Sequence, residues 1–308
     1  MTSPNTAQEI FPPLPLEAWE DSKKTLHRFA QIVGKIRLAA MPHMNHWWQA
    51  TLYVTTRGIT TGPMPYGDLH FAIDFDFIDH TLVITTDIGQ VESFALPGLS
   101  VATFYEQLFT QLTKLGINIP ILAKTYDLKP PSAFADDTTH AAYDKAYVNR
   151  YWRILMQIDN VFKEFSGRFT GKSSPVHLFW HTFDFVVTRF SGRRAPDRPE
   201  ANRPTRESYS HEVISFGFWA GDDMTRFPAF YSYTAPEPDG LTDMPLQPKE
   251  AFWNTSQTGS LALLKYEDLR KLDNPKAALL DFLESAYRAG ATTAHWDIDA
   301  LTTLTFEK

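Results

Sequence analysis

Two stretches of the chain echo one another. The first reads His46-Trp47-Trp48-Gln49-Ala50-Thr51-Leu52-Tyr53-Val54-Thr55-Thr56-Arg57, and the second His177-Leu178-Phe179-Trp180-His181-Thr182-Phe183-Asp184-Phe185-Val186-Val187-Thr188-Arg189. Each runs His-x4-Thr, then a β-rich stretch, then an arginine. Their surroundings repeat as well. Before the first copy, Trp19, Leu26, Phe29, Val33, Ile36 and Ala40 recur at three- and four-residue intervals, which predicts a helix from near Glu17 to Ala40 that Pro42 ends. A strand over about Trp47–Thr56 follows, then a Gly/Pro turn region (Gly58 to Gly67). Phe71 to Phe77 alternate, and further strands cover Leu82–Thr86 and a segment ending near Leu96. Ser100 caps a helix that carries Phe104, Leu108, Leu112 and Leu115 and stops at Gly116.

After the second copy's own helix (about Asp144 to Phe169) the order recurs. The His177 strand is followed by Val213–Phe218, Ala229–Thr234 and Gly259–Lys265. Asn274-Pro275 then opens a helix that stops at Gly290. The expected fold is therefore α+β: two pseudo-repeats of helix, four antiparallel strands and helix, in one compact unit with a pseudo-twofold axis. Residues 1–16 form an extended lead-in, 17–116 the first repeat, 117–139 a proline-bearing connector, 140–292 the second repeat and 293–308 a tail. Whether the two sheets join or face each other stays open.

Composition narrows the function classes. The 308 residues suffice for a sizeable core, and 43% hydrophobic against 21% charged residues marks a globular chain. A net charge of −7 argues against a nucleic-acid partner, which needs a cationic face. With no cysteine there are no disulfides, thiolate metal sites or cysteine nucleophiles. Met1–Pro15 has neither a basic start nor an apolar run, and no stretch approaches the roughly 20 residues that span a bilayer. A cytoplasmic protein with no membrane partner is expected.

Familiar motifs fail on inspection. Gly167-Arg168-Phe169-Thr170-Gly171-Lys172-Ser173 is one residue short of a phosphate loop and follows a helix instead of a strand, though Lys172 could still bind an anion. The dinucleotide, nucleophile-elbow and zincin patterns are missing, so no cofactor is expected. The densest polar region is 172–212. His177 and His181, four apart, are expected to share a strand face. Arg189, Arg193, Arg194, Arg198, Arg203 and Arg206 meet only Asp197 and Glu200, leaving that segment locally +4. Guanidinium forks suit carboxylate or phosphate. The loop is thus either an anion site at a sheet edge or a solvated loop paired with the acidic body. Tyr209-Ser210-His211-Glu212 follows, and histidine suits acid–base work near neutral pH. His43 and His46, three apart, lack a visible third metal ligand. Asp74 and Asp76 read as the polar face of an amphipathic strand.

Several strings resemble an uncharacterised bacterial family known only as a domain of unknown function. They include Gln31-Ile32-Val33-Gly34-Lys35-Ile36-Arg37, Asn45-His46-Trp47-Trp48, Asp137-Thr138-Thr139-His140, Gly171-Lys172-Ser173-Ser174-Pro175-Val176-His177 and Thr188-Arg189-Phe190-Ser191-Gly192-Arg193-Arg194-Ala195-Pro196. The resemblance spans nearly the whole chain and implies no activity. The residues themselves point to a small anionic molecule bound at the seam of the repeats. His46, Trp48, Lys172, Arg189, Arg193, Arg194 and Tyr209 are the candidate ligand-binding residues. His177, His181, His211 and Glu212 are the candidate catalytic ones, and no metal ligand is assigned. The competing readings are a non-catalytic interaction module, using the Pro/Arg loop and the aromatic sheet, and a metal-dependent hydrolase.

Overall fold

The computed structural model describes residues 9–128, 131–257 and 259–303. The start of the lead-in and the end of the tail lie outside them. In chain order the elements are α1 (Glu20–Ala40), β1 (Thr51–Val54), β2 (Gly58–Thr60), β3 (Met64–Tyr66), β4 (Leu69–Asp76), β5 (Thr81–Thr86), β6 (Val91–Ala95) and α2 (Val101–Lys114). Then come α3 (Lys145–Gly167), β7 (His177–Phe179), β8 (Asp184–Arg194), α4 (Arg203–Ser208), β9 (His211–Trp219), β10 (Ala229–Ala235), β11 (Phe252–Ser256), β12 (Gly259–Lys265), α5 (Tyr266–Leu269), α6 (Pro275–Thr293) and α7 (Ile298–Leu301). The helix starts follow local chemistry. The side chains of Ser100, Asp144 and Asn274 accept backbone N–H bonds from the first turns of α2, α3 and α6, satisfying donors that have no partner inside the helix.

The strands form one twelve-stranded antiparallel sheet in the order β11-β12-β10-β9-β8-β7-β1-β2-β4-β5-β6, with β3 on β4. The two halves join at β1 and β7, where Thr51 faces Phe179 and Leu52 faces Leu178. An unbroken row of apolar residues runs through that seam: Leu52, Leu178, Phe185, Phe218, Phe230 and Leu264 pair in register, each fully buried. Helices cover this face. Phe162 of α3 stacks on Phe185, Phe165 meets Phe216 edge-on, and Phe104 of α2 stacks on Phe75 of β4. The mixture of helices and antiparallel sheet is the expected α+β class. Among the described residues no helix is long and apolar enough to cross a membrane.

Three expectations need correction. Among the described residues each half carries six strands instead of four: the Gly/Pro region 58–67 holds the short strands β2 and β3, β11 forms a hairpin with β12, and the His177 strand divides into β7 and β8. The strand expected from Trp47 starts at Thr51. Asn45–Trp47 is a 3-10 turn in which His46 and Trp47 take left-handed backbone angles, and Ala50 N donates to Trp47 O. The His177–Arg189 strand is in fact a hairpin. Phe183 is left-handed and its N–H returns to Phe179 O at 2.8 Å, so His181 sits in the turn and does not share a strand face with His177. In both places a local turn hydrogen bond with left-handed backbone overrides the β propensity of an aromatic run.

Candidate functional site

The face of the second-half sheet opposite α3 carries a different row. Asp184, Val186, Thr188 and Phe190 of β8, Val213, Ser215 and Trp219 of β9, and Tyr231 and Tyr233 of β10 form the floor of a cleft of about 1500 Å³. Asp184 and Phe190 lie six residues apart on one strand, so the floor is about 20 Å long at roughly 3.3 Å per residue. The first half supplies the walls: Lys23, His27 and Lys35 of α1, and the His46–Ala50 turn. The connector adds residues 120–122 and 126–128. Gln31 of α1 clamps that connector, accepting from Tyr126 N at 2.8 Å and donating to Tyr126 O at 2.9 Å. Leu122, Tyr126 and Met224 leave an apolar rim, and Met224 is 92% exposed.

A line of hydroxyls crosses the floor. Tyr209 and Tyr233 share a hydrogen bond at 2.9 Å, as do Thr188 and Ser215. Tyr231 and Thr182 both donate to Asp184. Burial first, and then the charge of Asp184, keeps the Tyr231 phenol protonated, well above its ordinary range. His181 accepts from Thr182 N through Nδ1 at 2.8 Å, which places its proton on Nε2, and its ring stacks between Phe179 and Tyr126. His27 donates through Nε2 to His181 O at 3.0 Å, tying α1 to the same turn.

At the far end stands a basic cluster. His46, 6% exposed, donates from Nδ1 to Glu207 O at 3.1 Å and accepts at Nε2 from Lys172 Nζ at 2.7 Å. Trp48 and Phe190 flank the ammonium, with ring centres at 5.4 and 5.1 Å. The segment that carries Lys172 is held against β8, since Phe190 N donates to Lys172 O and Ser174 N to Thr188 O. His211 lies edge-on to His46 at 5.9 Å, and Arg194 pairs with it in register. Burial, followed by the Lys172 charge, pulls both imidazoles below their ordinary value. Among the described residues no carboxylate pairs with Lys172 or Arg194.

The structure thus gathers His46, Trp48, Lys172, Arg194, Tyr209, His181 and His211 in or beside one cleft. It places the other candidates elsewhere. Arg189 is fully buried on the helix-covered face, its guanidinium 3.4 Å from the centre of the Phe165 ring and donating to Phe165 O. Arg193 pairs with Glu212 at 2.7 Å and donates to Ala294 O and His295 O beyond the last turn of α6, so Arg193 caps that helix end while Glu212 holds its guanidinium. His177 is fully buried between Tyr53 and Phe179, and among the described residues neither ring nitrogen has a hydrogen-bond partner. His43 bonds Glu207 at 2.7 Å, and Asp76 is held by Arg57 and by the turn amides of Ile78 and Asp79. Among the described residues no three His, Asp or Glu side chains are grouped to hold a metal ion. Sequence reading missed Asp184, Tyr231, Tyr233, Ser215 and Thr188. Their signal was strand parity, since Asp184 and Thr188 alternate with Phe185 and Val187.

Among the described residues these features define an α+β protein with one antiparallel sheet and an aromatic-lined cleft whose floor carries hydroxyl groups. The chain belongs to a family of unknown function, DUF5996, whose model matches residues 11–303. No curated protein and no solved structure matches it.

Proposed function

We propose that the cleft binds a small anionic organic molecule, with the chain's two halves as diverged copies that meet at it. One observation carries the reading. Among the described residues six non-glycine residues have left-handed backbone angles, and four of them (His46, Trp47, Asp127 and Phe183) line this cleft. Each costs about 1–3 kcal/mol, and such strain persists where a site needs a side chain aimed. The anionic character follows from Lys172 and Arg194, two cations without a carboxylate partner beside two neutral imidazoles. The aromatic walls and the hydroxyl floor suit a planar or hydroxylated body. His181 and His211, each with a defined neighbour, are the groups placed for acid–base work. The strand order supports the duplication: outward from the β1–β7 seam both halves follow chain order, apart from β3 and the β11–β12 exchange.

The test is thermal unfolding with a panel of small carboxylates and phosphates. A ligand at a hundred times its Kd adds about 2.7 kcal/mol of stability. Lys172→Met is expected to abolish that gain, and Arg193→Ala to leave it intact. A panel with no stabilising member, or a gain that survives Lys172→Met, would sink the anion site.

A further inference from the structure

We propose that Lys172 is an amine nucleophile that forms an imine with the carbonyl of a small aldehyde or 2-oxo acid, with His46 as its base. The inference rests on the cleft reading and adds covalent chemistry to it. Three geometric facts carry it. Lys172 Nζ is 2.7 Å from His46 Nε2, within reach for direct proton transfer. Glu207 O binds the opposite ring nitrogen at 3.1 Å, fixing the tautomer so that the Nε2 lone pair points at the amine. The His46 backbone is held left-handed, which aims the ring. Nucleophile, base and orienting group therefore stand in the order that activated nucleophiles share.

The surroundings favour a neutral amine. Among the described residues no carboxylate stabilises the ammonium, and Trp48 and Phe190 flank it. Burial lowers Lys172 from its ordinary value. Lys163 and Lys271, by contrast, pair with Asp159 and Glu267. Lys172 is more than a third exposed, so a carbonyl compound can reach it, and His46, Trp48 and Phe190 line the adjoining cleft.

The step balances without a further reagent. His46 takes one proton from the ammonium, and the free amine bonds to the carbonyl carbon as the C=O π pair moves to oxygen. A proton shifts from nitrogen to that oxygen, giving a carbinolamine. The imidazolium returns its proton to the carbinolamine hydroxyl, which leaves as water while the nitrogen lone pair forms the C=N bond. The product is a protonated imine. Arg194 supplies a cation beside His211 for an acid group on the carbonyl compound.

The experiment traps that imine. The full chain is incubated with glyoxylate and sodium cyanoborohydride, and adducts are located by peptide mass mapping. Lys172 is expected to be labelled about tenfold or more faster than the exposed Lys249, since a base within hydrogen-bond reach of the amine contributes at least that much. His46→Gln, which keeps a polar side chain without a base of this strength, is expected to remove most of that advantage. Thermal unfolding with glycolate, the same acid without a carbonyl, runs in parallel. Lys172 labelled no faster than Lys249, or labelling unchanged in His46→Gln, overturns the imine. If glycolate or another member of the carboxylate panel still stabilises the chain, the anion cleft survives that failure; if none does, both readings fall.

Discussion

Gly217 shows how one absent side chain shapes the cleft floor. It faces Tyr231 across β9 and β10, and a Cβ there would lie 2.3 Å from the ring and 2.4 Å from the hydroxyl oxygen. The bare backbone lets Tyr231 lie across β9 and reach Asp184 on β8. The ring has little room to retreat, because Trp219 packs 5.0 Å away on one side and Tyr233 stacks on the other. Gly217→Ala is therefore expected to cost about 2 kcal/mol, in the range for overpacking a buried site. It is also expected to release the Tyr231–Asp184 bond. Urea denaturation checks the first point and tryptophan emission from Trp219 the second. A variant as stable as the parent would show that the ring moves freely. Residue-scale parity was legible in the sequence. Arg189 alternates in phase with Phe185 and Val187, whose face is the core. Its burial is legible in that alternation, although five further arginines follow it in the loop.

Among elements, the long helices were the most legible, because their signals are local. Ser100, Asp144 and Asn274 cap α2, α3 and α6 through bonds within three residues. The far end of α6 was not legible. It runs past Gly290 to Thr293, and the carbonyls of Ala294 and His295 just beyond it are taken by Arg193, a residue about a hundred positions earlier in the chain. Arg193→Ala is expected to destabilise the fold by about 1 kcal/mol, a modest figure since the side chain is 48% exposed and solvent screens its ion pair with Glu212. Arg193→Lys should recover little of this, because an ammonium lacks the fork that reaches two carbonyls and a carboxylate together. Chemical denaturation of both variants measures this, and full stability in the lysine variant would refute the forked cap. The hairpin at Trp180–Phe183 was equally hidden. The segment is rich in aromatic residues with high β propensity, and no glycine or proline marks the reversal.

At the scale of the whole molecule, the buried imidazoles couple stability to pH. Burial, then the charge of Lys23, pushes His27 down to about 3; burial, then the charge of Arg37, does the same to His177. Both rings are thus neutral in the folded chain down to about pH 3, whereas the unfolded chain takes up these protons below about 6.5. Between those values the unfolded state binds more protons, so stability is full above pH 6.5 and falls as the pH drops towards 3. Each histidine contributes a slope of up to about 1.4 kcal/mol per pH unit. His177→Leu should flatten the fall by one such increment. It should leave stability at pH 8 close to the parent's, since an unpartnered buried imidazole is replaced by an apolar group. Urea midpoints across pH 4–8 decide it, and an unchanged slope would place the acid sensitivity elsewhere.

The sequence by itself determined the α+β class, the four long helices, the main strands and the family, because periodicity, caps and motif strings act over a few residues. It also marked His46, Lys172 and His211 as candidate binding and catalytic groups. Only the tertiary structure decided that β1 meets β7 in one continuous sheet, that Lys172 rests on His46, and that Arg193 and His177 lie away from the cleft. Those outcomes depend on contacts between residues more than a hundred positions apart, and on which face of a strand a twisted sheet leaves uncovered. Neither is encoded in any short window of the chain.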